Sequence, residues 1–253
     1  MTDNKQYLYT SHPLGKEIDI DKYMIKAVLF DLDDTLVNHD AAIRDTASVL
    51  FDKVIPNSKH EFNVFQEQWI FLNREWYKKF FAKQVTFQES SRGKLREAFS
   101  KYGCQFSDRD ADTLLLEYWE DYVGKCQLFN DVAECFAQLQ KYKIGVVTNG
   151  QSAQQVEKLR RCGILSVVDV VVTSEMAGFA KPAPQIFQYA CAELGAQQTL
   201  CVYVGDSIEL DAIAARDAGL IGVWLNRFQR DLQVSPRIVK QINRLTQLLE
   251  VVL

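Results

Sequence analysis

The side chains able to do chemistry fall in a few short stretches of the sequence. The segment "VLFDLDDTLV" (Val28 to Val37) places Asp31, Asp33 and Asp34 directly after the apolar run Ala27-Val28-Leu29-Phe30 and ahead of Thr35. Like charges at the mouth of a buried segment repel one another, and some would be driven towards protonation unless a cation neutralises them. A hard divalent ion such as magnesium selects carboxylate oxygen. Three later stretches add complementary groups: "TNG" (Thr148, Asn149, Gly150), "FAKPAP" with Lys181, and "GDSIELD" with Asp206, Ser207 and Asp211. A hydroxyl with nearby amides, a lysine and several carboxylates match a phosphate held beside a divalent metal. No GxxxxGK[ST] or GxGxxG stretch occurs, so P-loop and dinucleotide readings have no support.

These groups need a scaffold that gathers them. Short Val- and Ile-rich runs at Ile25–Phe30, Ile144–Thr148, Val167–Thr173, Leu200–Val204 and Ile221–Leu225 read as strands buried on both faces. Helical patterns separate or follow them at Asp131–Tyr142, Ala153–Cys162, Pro184–Leu194, Ile208–Ala218 and Pro236–Leu249. Such alternation predicts an α/β fold with a parallel sheet flanked by helices. Ligands bind beyond the carboxyl ends of strands in such sheets, which is where the chemical stretches fall. Residues 40–126 break the rhythm and carry only helical signals. Asp40–Ile55 gives one helix, and Phe65, Trp69, Leu72, Trp76 and Phe80 make an apolar stripe suited to helix packing. Thr86 and Ser107 read as N-caps of two further helices. The expected organisation is an extension at 1–23, a core of 24–39 and 127–253, and an all-helical insertion at 40–126.

Composition excludes several classes. A chain of 253 residues with net charge −4 and pI near 5.5 lacks the basic field of a nucleic-acid binder. The six cysteines form no CxxC pair, and His12, His39 and His60 are scattered, so a zinc site is not expected. Reduced, buried thiols suit a cytoplasmic protein. No run approaches transmembrane length, and the polar N-terminus lacks a signal-peptide core. The expected partner is a small phosphorylated metabolite, with neither nucleic-acid polymer nor membrane, on a monomer or homodimer.

Plain structural roles compete at several positions. Asp34 and Asp40 read as solvated loop acids, and Arg92 and Lys94 could face substrate or water, with solvent the favoured reading. Ser207 and Asp211 could cap the helix that follows them. Thr148-Asn149-Gly150 is ordinary turn chemistry in isolation. Asp31 is the hardest to explain structurally, because nothing favours a charge at the end of a buried strand.

The ordered set D-x-D-x-T, T-N-G, K-P and G-D-S-x-x-x-D resembles the haloacid dehalogenase (HAD) superfamily. The insertion after the first motif resembles the helical cap of its subfamily I. The stretches "TNGQSAQQVEKLRRCGI", "SEMAGFAKPAPQIFQYA" and "GVWLNR" resemble its pyrimidine 5'-nucleotidase-like branch. The resemblance implies a Rossmann-like core and a Mg2+-dependent phosphatase that passes through an aspartyl phosphate on a small phosphomonoester, a nucleoside monophosphate among the candidates. Asp31 would be the nucleophile and Asp33 the general acid and base. Asp31, Asp206 and the backbone carbonyl of Asp33 would ligate the metal. Thr148, the Asn149 amide and Lys181 would hold phosphate, while Asp211, Thr35 and Ser207 would support the site from behind. A phosphomutase or sugar phosphatase on the same core is the alternative, and a non-catalytic interaction protein ranks below both. A dehalogenase would not need Asp33 and the full metal set. A phosphonatase would need a cap lysine, for which Lys78, Lys79, Lys83 and Lys94 are available.

Overall fold

The computed structural model describes residues 24–58, 61–230 and 239–253, so the expected extension at 1–23 lies outside the described residues. Strands β1 (Ala27–Phe30), β2 (Lys143–Thr148), β3 (Val170–Thr173), β4 (Cys201–Gly205), β5 (Ile221–Leu225) and β6 (Lys240–Ile242) form one sheet in the order β3-β2-β1-β4-β5-β6. Every pairing is parallel. β1 lies in the middle, paired with β2 and β4, and all four of its residues are fully buried. Alternate residues of a strand point to opposite faces. Val28 and Phe30 accordingly join the core that contains Phe136 and Leu139. Ala27 and Leu29 join the one that contains Ile186 and Phe187. Two buried faces explain why the strands read as unbroken apolar runs.

Two expected elements are corrected. The stretch expected as a helix at Pro236–Leu249 contains β6, which extends the sheet by pairing with β5 from Val223↔Lys240 to Leu225↔Ile242; its first residues, 236–238, lie outside the described set. Ile242, Leu245 and Leu248 are spaced by three, which mimics a helical stripe. All three are buried, Ile242 from the strand and the others from a short 3₁₀ turn at Leu245–Leu248. Burial against the sheet overrides the local pattern. Leu165–Val167 likewise forms a 3₁₀ turn, and the third strand begins only at Val170.

Between β1 and β2 lie α1 (His39–Val54), α2 (Phe62–Phe81), α3 (Phe87–Ser100), α4 (Asp108–Lys125) and α5 (Val132–Gln138). Thr86 caps α3 with a full capping box to Glu89, and Ser107 caps α4. Phe51, Phe65 and Phe99 interlock where α1, α2 and α3 meet, with Phe65 ring centroids 4.6 Å from Phe51 and 4.9 Å from Phe99. The two connections between this helical insertion and the sheet run side by side. The Asn38 amide donates to the Gln127 carbonyl at 2.9 Å, and the Phe129 amide donates to the Leu36 carbonyl at 3.0 Å. The remaining helices include α6 (Ser152–Arg161) after β2, α7 (Ser174–Ala177) and α8 (Pro184–Glu193) after β3, and α9 (Ala214–Asp217) before β5.

Candidate active site

The loop after β1 folds tightly on itself. The Leu36 and Val37 amides both donate to the Leu32 carbonyl, and Asp34 takes a left-handed φ of 59° that aspartate tolerates better than most residues. Asp34, expected as a solvated acid, is half-buried, and its carboxylate accepts the Asp40 amide at 2.9 Å near the start of α1. Asp40 is also only partly exposed, and its side chain pairs with Arg44 at 2.6 Å. Thr35 joins two strand ends: its hydroxyl donates to Asp31 Oδ2 at 3.1 Å and accepts the Asp206 amide at 3.0 Å.

Three other expected site residues, Asp31, Asp211 and Asn149, meet around Lys181. Its buried ammonium lies 2.5 Å from Asp31 Oδ1 and 2.6 Å from Asp211 Oδ1, and it donates to the Tyr203 hydroxyl at 3.0 Å. Burial opposes the charge, but Asp211 and Asp31 outweigh it and hold the Lys181 pKa well above the ordinary lysine value. The Asn149 side chain fixes the backbone of Lys181, accepting its N–H at 2.8 Å and donating to its carbonyl at 3.1 Å. Thr148 is buried at the end of β2. Asp211 sits on a π-type helical turn (Ile208–Ile213) that Ser207 caps through the Leu210 amide. Its second oxygen accepts the Ser207 amide at 3.0 Å.

Asp206 completes an acidic trio. Carboxylate oxygens of Asp31, Asp206 and Asp211 lie within 4.8 Å of one another. Burial, Asp211 and Asp34 push the Asp206 pKa up to about 7, and burial with Asp211 and Asp206 also pushes Asp31 upward against the pull of Lys181. Lys181 alone does not balance this charge, and the donors are hard oxygens. The set therefore fits a divalent cation of the magnesium type. Asp211 spends both oxygens on Lys181, Tyr203 and Ser207. Asp31 also accepts at both oxygens, from Lys181 and Thr35, and Asp206 Oδ2 lies 3.3 Å from Arg230.

The Asp33 side chain turns away from this trio. Both of its oxygens accept from Lys158 Nζ at 2.7 Å, and His39 Nδ1 lies 3.7 Å from Oδ1. His39 is itself hydrogen-bonded to the Tyr122 hydroxyl at 2.6 Å. Burial would raise the Asp33 pKa, but Lys158 and His39 outweigh it and hold it below the usual range. The sequence reading missed Lys158, His39 and Tyr122 as members of the site. It also missed Arg227, whose guanidinium joins Asp131 at 2.9 Å to the Thr35 carbonyl at 3.0 Å. Lys158 and Arg227 stand inside stretches the resemblance rests on, which is the one signal that could have flagged them.

A cavity of about 680 Å³ opens between the helical insertion and the sheet. Asp33, Asn149 and Lys158 line its floor, and Trp76, Tyr77 and Trp119 line its walls. Trp76 belongs to the stripe expected chiefly for helix packing, with a pocket lining as the alternative, and it is a wall residue. Lys94, expected to face solvent, is 8% exposed and also lines the cavity, because α3 turns it inward between Trp69 and Tyr118. Arg92 bridges Asp108 and Asp112.

Residues 25–219 match the family described as "Hydrolase: haloacid dehalogenase-like hydrolase". Among relatives, the chain is 28% identical to a glyceraldehyde 3-phosphate phosphatase of Methanocaldococcus jannaschii, over 90% of this chain and 97% of that protein. It is 39% identical to the Escherichia coli pyrimidine 5'-nucleotidase YjjG over 42% of this chain and 49% of that protein. Among solved structures, the putative HAD-hydrolase YfnB of Bacillus subtilis, bound to magnesium, superposes with a TM-score of 0.74 at 25% identity, covering 90% of this chain and 99% of that one. The order of the motifs, the parallel sheet that gathers them and these similarities converge: the chain belongs to the haloacid dehalogenase-like hydrolase family and is a phosphoric monoester hydrolase.

Proposed function

We propose that the chain is a magnesium-dependent phosphatase that hydrolyses a small phosphomonoester through an aspartyl phosphate on Asp31, with a nucleoside monophosphate as the leading candidate substrate. The observation that carries this reading is the separation of two carboxylates only two residues apart. Asp31 is fixed by Lys181 and Thr35 beside the acidic trio, whereas Asp33 is held by Lys158 at the cavity floor. Two carboxylates in different surroundings can take different roles.

Asp31 attacks phosphorus, the bond to the leaving oxygen breaks, and that oxygen takes its proton from Asp33, whose carboxylate, held ionised by Lys158 and His39, collects the proton from solvent beforehand. Water then attacks phosphorus, the bond to Asp31 breaks, and Asp33 takes the proton from water. Lys181 restrains the Asp31 carboxylate and offsets phosphate charge. Thr148 and the Asn149 amide hold phosphate oxygens. Asp31, Asp206 and the Asp33 carbonyl would hold magnesium, which when bound supplies charge neutralisation and polarises the phosphate. The YfnB structure was solved with magnesium, and two compared relatives are a sugar-phosphate phosphatase and a nucleotidase, which supports the same chemistry here.

The helical segment 40–126 serves as a cap over the sheet domain of 24–39 and 127–253. The paired connections at 36–38 and 127–129 are its hinges, and closing it excludes water. The test is to trap labelled phosphate on protein quenched during turnover. Asp33→Asn should accumulate label, because its intermediate lacks the base that activates water, and Asp31→Asn should carry none. Label mapped to Asp33 or Asp206 in the unmodified protein defeats the reading.

A further inference from the structure

The cavity is lined by helical-insertion residues as well as by the phosphate-handling ones, and among them is a buried cation. Lys94 donates to Asn73 Oδ1 at 2.8 Å, and its ammonium sits 4.4 Å from the Trp69 ring and 5.3 Å from the Tyr118 ring. Among the described residues no carboxylate forms an ion pair with it. An ammonium that is nine-tenths buried without a counter-charge is costly, and a packing role would be served better by Leu or Met. The flat rings of Trp76 and Tyr77 line the same cavity.

We propose that Lys94 and Asn73 form the recognition end of the substrate site, selecting a leaving group that carries a planar unsaturated ring with carbonyl or ionised oxygens on the edge remote from the phosphate. This rests on the phosphatase reading above. Asn73 turns its carbonyl oxygen to Lys94, so the pair presents mainly donors: the remaining ammonium protons and the Asn73 amide. Donors in a buried place read acceptors, and a site built for them rejects a ligand that leaves them unpaired. Aromatic walls suit a stacked ring. They suit a polyol chain poorly, because its hydroxyls would lose water without gaining partners. Burial also pushes the Lys94 pKa down to about 7, and an acceptor bound beside it would favour the charged form.

The test compares kcat/KM for uridine 5'-monophosphate, flavin mononucleotide, glycerol 3-phosphate and acetyl phosphate in the wild type, Lys94→Met and Asn73→Ala. The wild type should prefer the two ring esters to glycerol 3-phosphate. Lys94→Met should lower kcat/KM for the ring esters about 10- to 100-fold relative to acetyl phosphate, chiefly through KM, with Asn73→Ala moving the same way. A ratio within about twofold of wild type in both variants, or a wild-type preference for glycerol 3-phosphate, overturns the inference. A binding arm separates it from the phosphatase reading. Calorimetry with uridine 5'-monophosphate uses Asp31→Asn protein, with and without Lys94→Met. If no ester is hydrolysed, the phosphatase reading fails. Binding that Lys94→Met weakens then still supports the recognition site, and absent or Lys94-independent binding overturns it.

Discussion

Replacing Lys94 by Met should change the pH dependence of stability in a direction and amount set by the burial of its ammonium. In the unfolded chain the lysine titrates near its ordinary value of 10.5, whereas in the fold burial lowers it to about 7. The fold therefore disfavours the charged form. This penalty is complete below pH 7 and shrinks as pH rises, vanishing above the unfolded value. Between the two values the unfolded chain binds the extra proton, so the lysine makes wild-type stability rise with pH. From pH 7 to 9.5 the span is 2.5 units at about 1.36 kcal/mol each, or between about 3 and 4 kcal/mol. Half-titration of the folded lysine at pH 7 and the onset of titration in the unfolded chain trim this to about 3 kcal/mol. Urea unfolding of ligand-free wild type and Lys94→Met at both pH values measures it, since the constant gain from an added apolar side chain cancels in the difference. Lys94→Met should be the more stable protein at pH 7, and its advantage should fall by about 3 kcal/mol at pH 9.5. An advantage that does not change with pH would mean that the ammonium is well solvated, and would refute the burial reasoning.

Other perturbations act on the catalytic side. A Cβ at Gly205 would overlap the Asp211 carboxyl group, so Gly205→Ala should displace Asp211, loosen Lys181 and cut kcat about 10²-fold while the far-ultraviolet dichroism stays native. Lys158→Met removes both hydrogen bonds to Asp33. It should lower kcat for an alkyl phosphate by about 10²-fold and for p-nitrophenyl phosphate by less, because nitrophenolate needs little protonation. Since Lys158 helps hold the Asp33 pKa down, the limb of the pH–rate profile that Asp33 sets should move to higher pH in that variant. Chelation should abolish turnover, magnesium should restore it, and calcium should not, because its larger and looser shell spoils in-line attack; full activity in chelator removes the metal from the reaction.

The core was legible because its signals are local. A strand buried on both faces needs an unbroken apolar run, and a charge at its end has no structural excuse, so Asp31 and the ends of β2 and β4 could be found from sequence. Thr86 and Ser107 could be read as caps for the same reason: a capping side chain bonds within its own first turn. Ile242, Leu245 and Leu248 show the limit of such reading. Their spacing fits a helix, but the edge of β5 supplies hydrogen-bond partners that no local pattern announces.

Apart from His39, which lies six positions from Asp33, the residues missed have partners farther away in the chain. Lys158 reaches Asp33 across 125 positions, Arg227 reaches the Thr35 carbonyl across 192, and Lys94 reaches Asn73 across 21. On α3, Arg92 and Lys94 are two residues apart, and alternate helix positions face different sides. Arg92 turns to Asp108 and Asp112 while Lys94 turns to the Trp69 ring. Nothing in "SSRGKLRE" separates the two, because the difference lies in which neighbour covers each face. Gly93, between them, marks the place: a Cβ there would overlap the Trp76 ring, so the glycine lets that cavity wall lie against α3. The phosphate end of the site is thus encoded in strand ends that any substrate would need, and the recognition end in close helix packing. Substitutions on the facing sides of α2, α3 and α4 could therefore alter the leaving group accepted while Asp31, Lys181 and Asp211 stay as they are.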